Sequence, residues 1–106
     1  MSTPPQLRIE HTMKDDTALI RMAGELDMAT SPELELQVDA LFHQGASSLV
    51  FDCSDVSFMD SSALRVIVGA ELRAAEQGGT VTVQRPSETV SAIMEVAGIT
   101  DMVDQA

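Results

Sequence analysis

Apolar residues recur in two different patterns along the chain. In the first they occupy every second position, which marks a half-buried β-strand. Near the start it is carried by Leu7, Ile9, His11 and Met13. The acidic pair at 15–16 predicts a turn, and residues 17–23 predict a second strand that ends at Gly24. Two strands joined by so short a turn predict an antiparallel hairpin.

The second period is helical. Serine and proline at 31–32 predict a helix start, because proline is favoured in the first turn, and Gly45 predicts the end of that helix. Its apolar face comprises Leu34, Val38, Leu41 and Phe42. Two more helices are predicted, one over residues 62–77 and one from residues 86–87 to Gly98. The apolar stripe of the last helix comprises Val90, Ile93, Met94 and Ala97.

Short apolar runs between these helices predict further strands. One covers residues 49–51, reads as a buried strand that ends at Asp52, and is followed by a loop; the other covers 80–85. Strands separated by helices imply right-handed crossovers and parallel pairing in part of the sheet. The sequence therefore predicts one α/β domain with a mixed sheet over residues 7–106, after a polar, proline-containing lead at 1–6 that we expect to be disordered.

The net charge of the chain disfavours some classes of binding partner. Its 17 acidic and 6 basic residues give a formal charge of −11, which repels nucleic acid and anionic membrane surfaces. No apolar run approaches the roughly 18 residues of a membrane span, and no signal peptide opens the chain. Cys53 is the single cysteine, so it cannot form an internal disulfide, and we interpret it as a small core residue. These features predict a cytoplasmic protein.

Candidate chemistry is concentrated at Asp60, Ser61 and Ser62, directly before the second helical pattern. Their oxygens can accept hydrogen bonds from the free N–H groups of the first turn, which is typical of a helix cap. The dipole of the helix also favours negative charge there, so a phosphate on Ser61 would find backbone donors. The residues alone leave both a plain cap and a phosphorylation switch open.

Residues 52–64 resemble the phosphorylation loop of bacterial anti-sigma-factor antagonists, with the order DCSDVSFMDSSAL. Those proteins carry the STAS domain, which the cytoplasmic tails of sulphate transporters share. Residues 24–27, Gly-Glu-Leu-Asp, resemble the end of that family's second strand, and residues 97–99, Ala-Gly-Ile, are a weaker match near the last helix. One difference is Ala63, where the family usually has glycine; alanine favours a helix by about 1 kcal/mol.

The resemblance implies a STAS-like α/β fold with helices packed mainly on one face of the sheet. It implies a binding module, with no catalysis and no cofactor, that sequesters an anti-sigma factor and so releases a sigma factor for transcription under stress. The anti-sigma factor is also a serine kinase that phosphorylates Ser61 and ends the interaction, and a serine phosphatase restores it. The resemblance implies partner-binding roles for Asp27, Asp60 and Ser62, and support of the loop by Asp55 and Ser57. Leu64 and Val66 are further candidate partner contacts, because of their place on the apolar arc of the second helix.

Two other functions are possible alternatives to this one. A STAS subunit that acts as a fixed scaffold without phosphorylation, for instance in a lipid-trafficking transporter, is the alternative within the same fold. A small serine hydrolase or transferase would need a base for Ser61, but no motif brings His11 or His43 to it, and Gly-x-Ser-x-Gly is missing.

We expect no metal site, because the spacing of the aspartates fits no calcium loop: Asp27, Asp52, Asp55 and Asp60.

The second helix has an apolar arc wider than the roughly 100° stripe that a surface helix buries. Two interpretations stay open: the helix is wedged between neighbours inside its own domain, or part of the arc near Ser61 is a docking surface. Leu64 and Val66 lie at the edges of the arc. We expect at least one of them to face solvent in the free domain.

Overall fold

Helices and strands alternate along the chain after an initial hairpin. The structure is a computed structural model that describes residues 6–104. Its elements are β1 (Leu7–Lys14), β2 (Thr17–Leu26), α1 (Ser31–His43), β3 (Ser48–Met59), α2 (Ser61–Glu76), β4 (Val81–Gln84), α3 (Glu88–Ala97), a 3-10 turn (Thr100–Met102) and β5 (Val103–Asp104). Residues 1–5 of the expected disordered lead lie outside the described residues, whereas the carbonyl of Gln6 accepts the N–H of Glu25 at 2.8 Å.

The five strands form one mixed sheet in the order β1-β2-β3-β4-β5. The β1–β2 hairpin is antiparallel, and every other neighbouring pair is parallel. From β2 to β5 the strand order advances in a single direction. Because crossovers between parallel strands are right-handed, all three helices then lie on the same face. The mixed α/β sheet expected from the sequence, with its helices on one face, is confirmed.

The core lies between that face and the helices. Ile20, Phe51 and Val83, from three adjacent strands, have no exposed surface. Most of their neighbours along each strand are at least partly exposed on the open face, but Asp52 is buried there. The helices contribute Leu34, Val38, Leu41, Phe42, Ala63, Leu64, Ile67, Ala70, Ala74, Val90 and Met94 to this layer. Of the predicted stripe of α3, Ala97 is exposed; it is the last residue of the helix, directly before Gly98.

Two strands extend further than the sequence pattern indicated. β2 continues through Gly24 to Leu26, because Gly24 adopts φ +114 at a bulge where a Cβ would lie 2.1 Å from the carbonyl oxygen of Gln6. β3 does not end at Asp52 but continues to Met59, where a loop had been expected. Register shifts against β2 break the alternation of this half of β3, which is why its periodicity is weak in the sequence.

Smaller differences concern the edges of the sheet. The two-residue strand β5 was not anticipated, since its apolar content is a single valine. His11 points to the helix-bearing face, opposite Ile20 in the register, but it is exposed because β1 is an edge strand. Within residues 6–104, no helix combines the length and the apolar character that a membrane crossing requires.

Candidate functional site

The candidate site lies where β3 ends and α2 begins. The N–H of Asp60 donates to the carbonyl of Leu26 at 3.1 Å, so the ends of β2 and β3 lie side by side. Asp60 is the N-cap of α2, and its carboxylate accepts the N–H of Ser62 at 2.9 Å and the Ser62 hydroxyl at 2.5 Å. The predicted cap is therefore confirmed, and its geometry fixes the start of α2 one residue earlier than expected, at Ser61.

The two serines of this turn differ in their surroundings. Ser61 is exposed, and its hydroxyl has no hydrogen-bond partner among the residues that the structure describes. Ser62 is half-buried; besides its bond to Asp60, its hydroxyl lies 3.0 Å from the hydroxyl of Ser31 at the start of α1. A modifying enzyme could therefore reach the hydroxyl of Ser61, whereas that of Ser62 is part of an internal hydrogen-bond network.

Asp27 shapes the neighbouring connection from β2 to α1. Its carboxylate accepts the N–H groups of Ala29 at 2.9 Å and Thr30 at 3.0 Å, and its own N–H donates to the Thr30 hydroxyl at 2.9 Å. This turn brings the N–H of Met28 to the Asp60 carboxylate. Asp27 thus lies next to the serine turn, as expected, but acts through the backbone of its own turn.

The hydrogen bonds around Asp60 lower the pKa of its carboxyl group. The largest contribution comes from the hydroxyl of Ser62; desolvation opposes it, and the N–H groups of Ser62, Ala63 and Met28 add to the lowering. Because these donors belong to the start of α2 and to the β2–α1 turn, the negative charge of Asp60 holds the two segments together.

Two residues expected to support the serine turn do so weakly or not at all. The Ser57 hydroxyl donates to the carbonyl of Gly24 at 3.2 Å, which joins β3 to β2 at the bulge. Asp55 is exposed in β3, where its backbone pairs with Ala23, and its side chain has no partner in the described part of the chain. The structure therefore gives Asp55 no contact with residues 60–62, contrary to the expectation.

The apolar arc of α2 is partly buried and partly exposed. Leu64 belongs to the core, with 8% of its surface exposed, so its expected place on a docking surface is wrong. Val66 is only partly buried, and Leu72, two turns further on, is 63% exposed. The expectation that at least one edge of the arc faces solvent thus holds through Val66 alone.

A groove of about 530 Å³ runs between α1 and α2 and begins at the serine turn. Apolar and charged side chains line it together: Met28, Pro32, Glu35, Val38, Asp39, Arg65, Val66 and Arg73. Arg73 is held in place, because its guanidinium pairs with Asp39 at 2.5 Å and lies 4.6 Å from the centre of the Phe42 ring. Arg65 is exposed and has no partner in the described part of the chain.

One charged cluster in the middle of the sheet was not anticipated from the sequence. Asp52, with 1% of its side chain exposed, forms ion pairs with Arg85 and, at 3.7 Å, with Arg21. It also accepts the N–H and the hydroxyl of Ser54, at 3.1 and 2.8 Å. Arg21 and Arg85 are remote in sequence from Asp52, and only the strand register, which places Arg21 beside it, could have indicated the pairing.

The cluster affects two titrating groups. Desolvation raises the pKa of Asp52, but the hydrogen bonds from Ser54 and the Arg85 guanidinium outweigh it, so that the pKa is lowered. Burial, and then the negative charge of Asp52, raise the pKa of the Cys53 thiol to about 12. Cys53 has no exposed surface, which agrees with its interpretation as a small core residue. No grouping of side chains suited to a metal ion occurs within residues 6–104.

Comparison with known proteins agrees with this geometry. The family model described as "Mlab, STAS domain" matches residues 9–104. The anti-sigma-B factor antagonist of Bacillus subtilis is 30% identical over 98 residues, which cover 92% of this chain and 89% of the relative. The anti-sigma-B factor antagonist of Staphylococcus aureus is 28% identical over 97 residues, with coverages of 92% and 90%.

Solved structures show the same fold. The unphosphorylated anti-sigma factor antagonist SpoIIAA superposes with a TM-score of 0.85 at 23% identity, over 93% of this chain and 88% of that one. An anti-sigma factor antagonist from Mycobacterium paratuberculosis gives a TM-score of 0.84 at 21% identity, over 100% and 92% of the two chains. With a family model that covers nearly the whole described structure, the chain belongs to the STAS domain family.

Proposed function

We propose that this protein is an anti-sigma-factor antagonist whose binding is switched by phosphorylation of Ser61. In the unphosphorylated form it binds an anti-sigma factor in the cytoplasm, and the sigma factor is released for transcription. The anti-sigma factor is at the same time a serine kinase, and it ends the interaction by phosphorylating Ser61. A serine phosphatase removes the phosphate and restores binding. The protein itself is a binding module and catalyses no reaction.

One observation carries this proposal: Ser61, the first residue of α2, presents an exposed hydroxyl that has no hydrogen-bond partner within residues 6–104, next to the capping carboxylate of Asp60. Relatives of 28–30% identity over most of the chain are named anti-sigma-B factor antagonists. The groove between α1 and α2 begins at the same turn and offers Val66 as an apolar contact. The surface around Ser61 therefore combines a modifiable group with an area that a partner can contact.

A phosphate on Ser61 would change the charge of this surface without unfolding the domain. It adds a charge of about −1.5 to −2 beside Asp60, in a chain whose formal charge is already −11. Two like charges about 4 Å apart near a protein surface interact by roughly 4 kcal/mol. If half of this repulsion is felt by an acidic group of the partner, affinity falls more than tenfold. Asp60 continues to cap α2, so the fold is kept.

The first experiment asks whether Ser61 is phosphorylated. The purified chain is incubated with ATP and each anti-sigma-factor kinase of the source organism, and intact mass and fragment ions are measured. We expect one added phosphate on Ser61. Phosphate on Ser57 or Ser62 alone would contradict the assignment. No phosphate with any of the kinases would favour the alternative STAS subunit that acts as a fixed scaffold.

The second experiment tests the switch with variants as baits for co-purification from cells of the source organism, followed by mass spectrometry. We expect Ser61→Ala to retain an anti-sigma factor and Ser61→Glu to lose it. Ser57→Glu is the matched control, because it adds the same charge to an exposed serine four residues earlier in β3, and it should bind like the wild type. Equal capture by all three variants would contradict the switch.

A further inference from the structure

Arg65 contributes no ion pair or hydrogen bond to the described part of the free domain. Three of the six basic residues, Arg21, Arg73 and Arg85, are held in ion pairs with aspartates. Arg65 lies on the exposed side of α2, one turn after Ser61, and it has neither an ion pair nor a hydrogen bond in the part of the chain that the structure describes. Within the described residues, Arg65 is thus an unpaired guanidinium one helical turn from the candidate phosphorylation site.

The helix geometry directs Arg65 towards Ser61. Residues i and i+4 lie on the same face of a helix, with Cβ atoms about 5–6 Å apart. Side chains in helices point back towards the N-terminus, so this spacing puts the Arg65 side chain within reach of the turn that begins at Ser61. An acidic residue followed by a basic one at this spacing is the favourable orientation of a helical ion pair.

We propose that Arg65 is the intramolecular receptor of the phosphate on Ser61. The planar guanidinium can donate two parallel hydrogen bonds to phosphate oxygens, which a lysine ammonium cannot do. Formation of this pair withdraws the unpaired cation from the groove between α1 and α2. Phosphorylation then adds negative charge at the turn and also removes the free positive charge at the edge of the groove. The proposal rests on the proposed function, because it needs a phosphate on Ser61.

Other charged groups near the turn oppose this pair. They are the carboxylates of Asp60, of Asp27 in the β2–α1 turn and of Glu35, which lines the same groove on α1. Each of them disfavours the doubly charged phosphate and so raises its second pKa. Arg73 is the other cation in the groove, but it is engaged with Asp39, three turns along α2 from Ser61. Arg65 is thus the group positioned to lower the second pKa of the phosphate.

The test measures that pKa directly. Phosphoserine is incorporated at position 61 during translation, so no kinase is required, and the phosphate is titrated by ³¹P NMR. In Arg65→Gln the second pKa should rise by about 0.2–0.4 pH units, the equivalent of the roughly 0.2–0.5 kcal/mol of a helical ion pair. Arg65→Lys, which keeps the charge but not the fork, should give an intermediate value. The donors of the helix N-terminus are the same in all variants and cancel.

Arg8→Gln is the matched control. Arg8 is an exposed arginine of β1 whose neighbour Leu7 faces the helices, so Arg8 itself lies on the opposite face of the sheet. The control removes the same charge and should leave the phosphate pKa within about 0.1 pH unit of the wild-type value. No shift in Arg65→Gln, or an equal shift in Arg8→Gln, would overturn the role of Arg65. Because the phosphate is introduced without a kinase, neither result bears on whether Ser61 is phosphorylated in the cell.

Discussion

Asp52 and Asp60 lie eight residues apart, one within β3 and the other just after it, and the structure uses them differently. Asp52 is 1% exposed and holds together parts of the chain that are distant in sequence, through Arg21 and Arg85. Asp60 is partly exposed and binds donors from the start of α2 and from the turn beside it. Both carboxylates have a lowered pKa, but one charge stabilises the sheet and the other caps α2 beside the exposed Ser61.

This difference separates residues that stabilise the domain from residues at the proposed functional site. Arg85 adopts a left-handed conformation, with φ 49, at the point where the chain leaves β4 towards α3. Its ion pair with Asp52 fixes that turn from the centre of the sheet. Asp60 makes no ion pair in the described part of the chain, and the turn it caps stays open to solvent on the side of Ser61. The comparison predicts large stability effects at the first site and small ones at the second.

The largest expected effect concerns Cys53, which adjoins Asp52 in the core. With a thiol pKa of about 12, against about 8.5 for a free cysteine, it should be alkylated at pH 8 at least about a thousandfold more slowly than in the unfolded chain. The measurement is iodoacetamide labelling followed by mass spectrometry, with and without urea. Rapid labelling of the folded protein would mean that the centre of the sheet opens readily, contrary to the comparison.

Asp52→Ala should lower the free energy of unfolding by about 2–4 kcal/mol, because it removes hydrogen bonds to a buried charge and leaves the N–H of Ser54 without its acceptor. Urea denaturation measures the change. Asp55→Ala, which removes an exposed carboxylate three residues later in the same strand, is the control and should stay within about 0.5 kcal/mol of the wild type. Similar losses in both variants would contradict the claim that Asp52 contributes more to stability than an exposed carboxylate of the same strand.

The lowered pKa values of Asp52 and Asp60 predict how the free energy of unfolding depends on pH. Since the folded pKa values of Asp52 and Asp60 are lowered, their contribution is present above the unfolded value of about 3.9 and is lost as the pH falls below it. The free energy of unfolding should therefore decrease from about pH 5 downwards. The decrease should be shallower in Asp52→Asn than in the wild type. An identical slope in Asp52→Asn would contradict the assignment.

At the second site the effect on stability should be smaller. Asp60→Ala removes the cap of α2 and should cost about 1 kcal/mol, measured by urea denaturation beside Asp52→Ala. Asp60→Asn keeps a capping oxygen and should recover most of that loss. Because Asp60 also fixes the turn that presents Ser61, phosphorylation of Ser61 by the kinase should slow in the alanine variant. A loss as large as that of Asp52→Ala would mean that Asp60 contributes as much to stability as Asp52, contrary to the comparison.

The smallest expected change in stability is at Val66, which extends the second region along the groove. Val66→Ser should cost about 1 kcal/mol or less, as at surface positions, yet reduce the capture of the anti-sigma factor in pull-downs. Leu64→Ser is the contrasting control, since a buried leucine should cost about 2–5 kcal/mol. Normal capture by Val66→Ser would place the docking surface away from this groove.

Local patterns in the sequence determined much of this protein. The hairpin, the three helices and the cap at residues 60–62 each depend on neighbours within a few positions, and all were predicted. The helix cap has a recognisable local signature, but Ser61 was singled out within it by the resemblance of residues 52–64 to the family's phosphorylation loop. Strands β2 and β3 were predicted too short, ending at Gly24 and at Asp52. In both strands, irregular register against the neighbouring strand breaks the alternation of apolar and polar residues on which the prediction relied.

The tertiary structure alone decided which of these residues face solvent and which distant charges meet. Leu64 and Val66 lie in the same apolar arc of α2, but the packing of α2 on the sheet buries the first and leaves the second at the groove. Asp52 appeared to end a strand, and it became a buried charge only because the register places Arg21 beside it and β4 delivers Arg85. A pattern of neighbours along the chain specifies local conformation, whereas burial and long-range ion pairs depend on how whole elements are arranged in space.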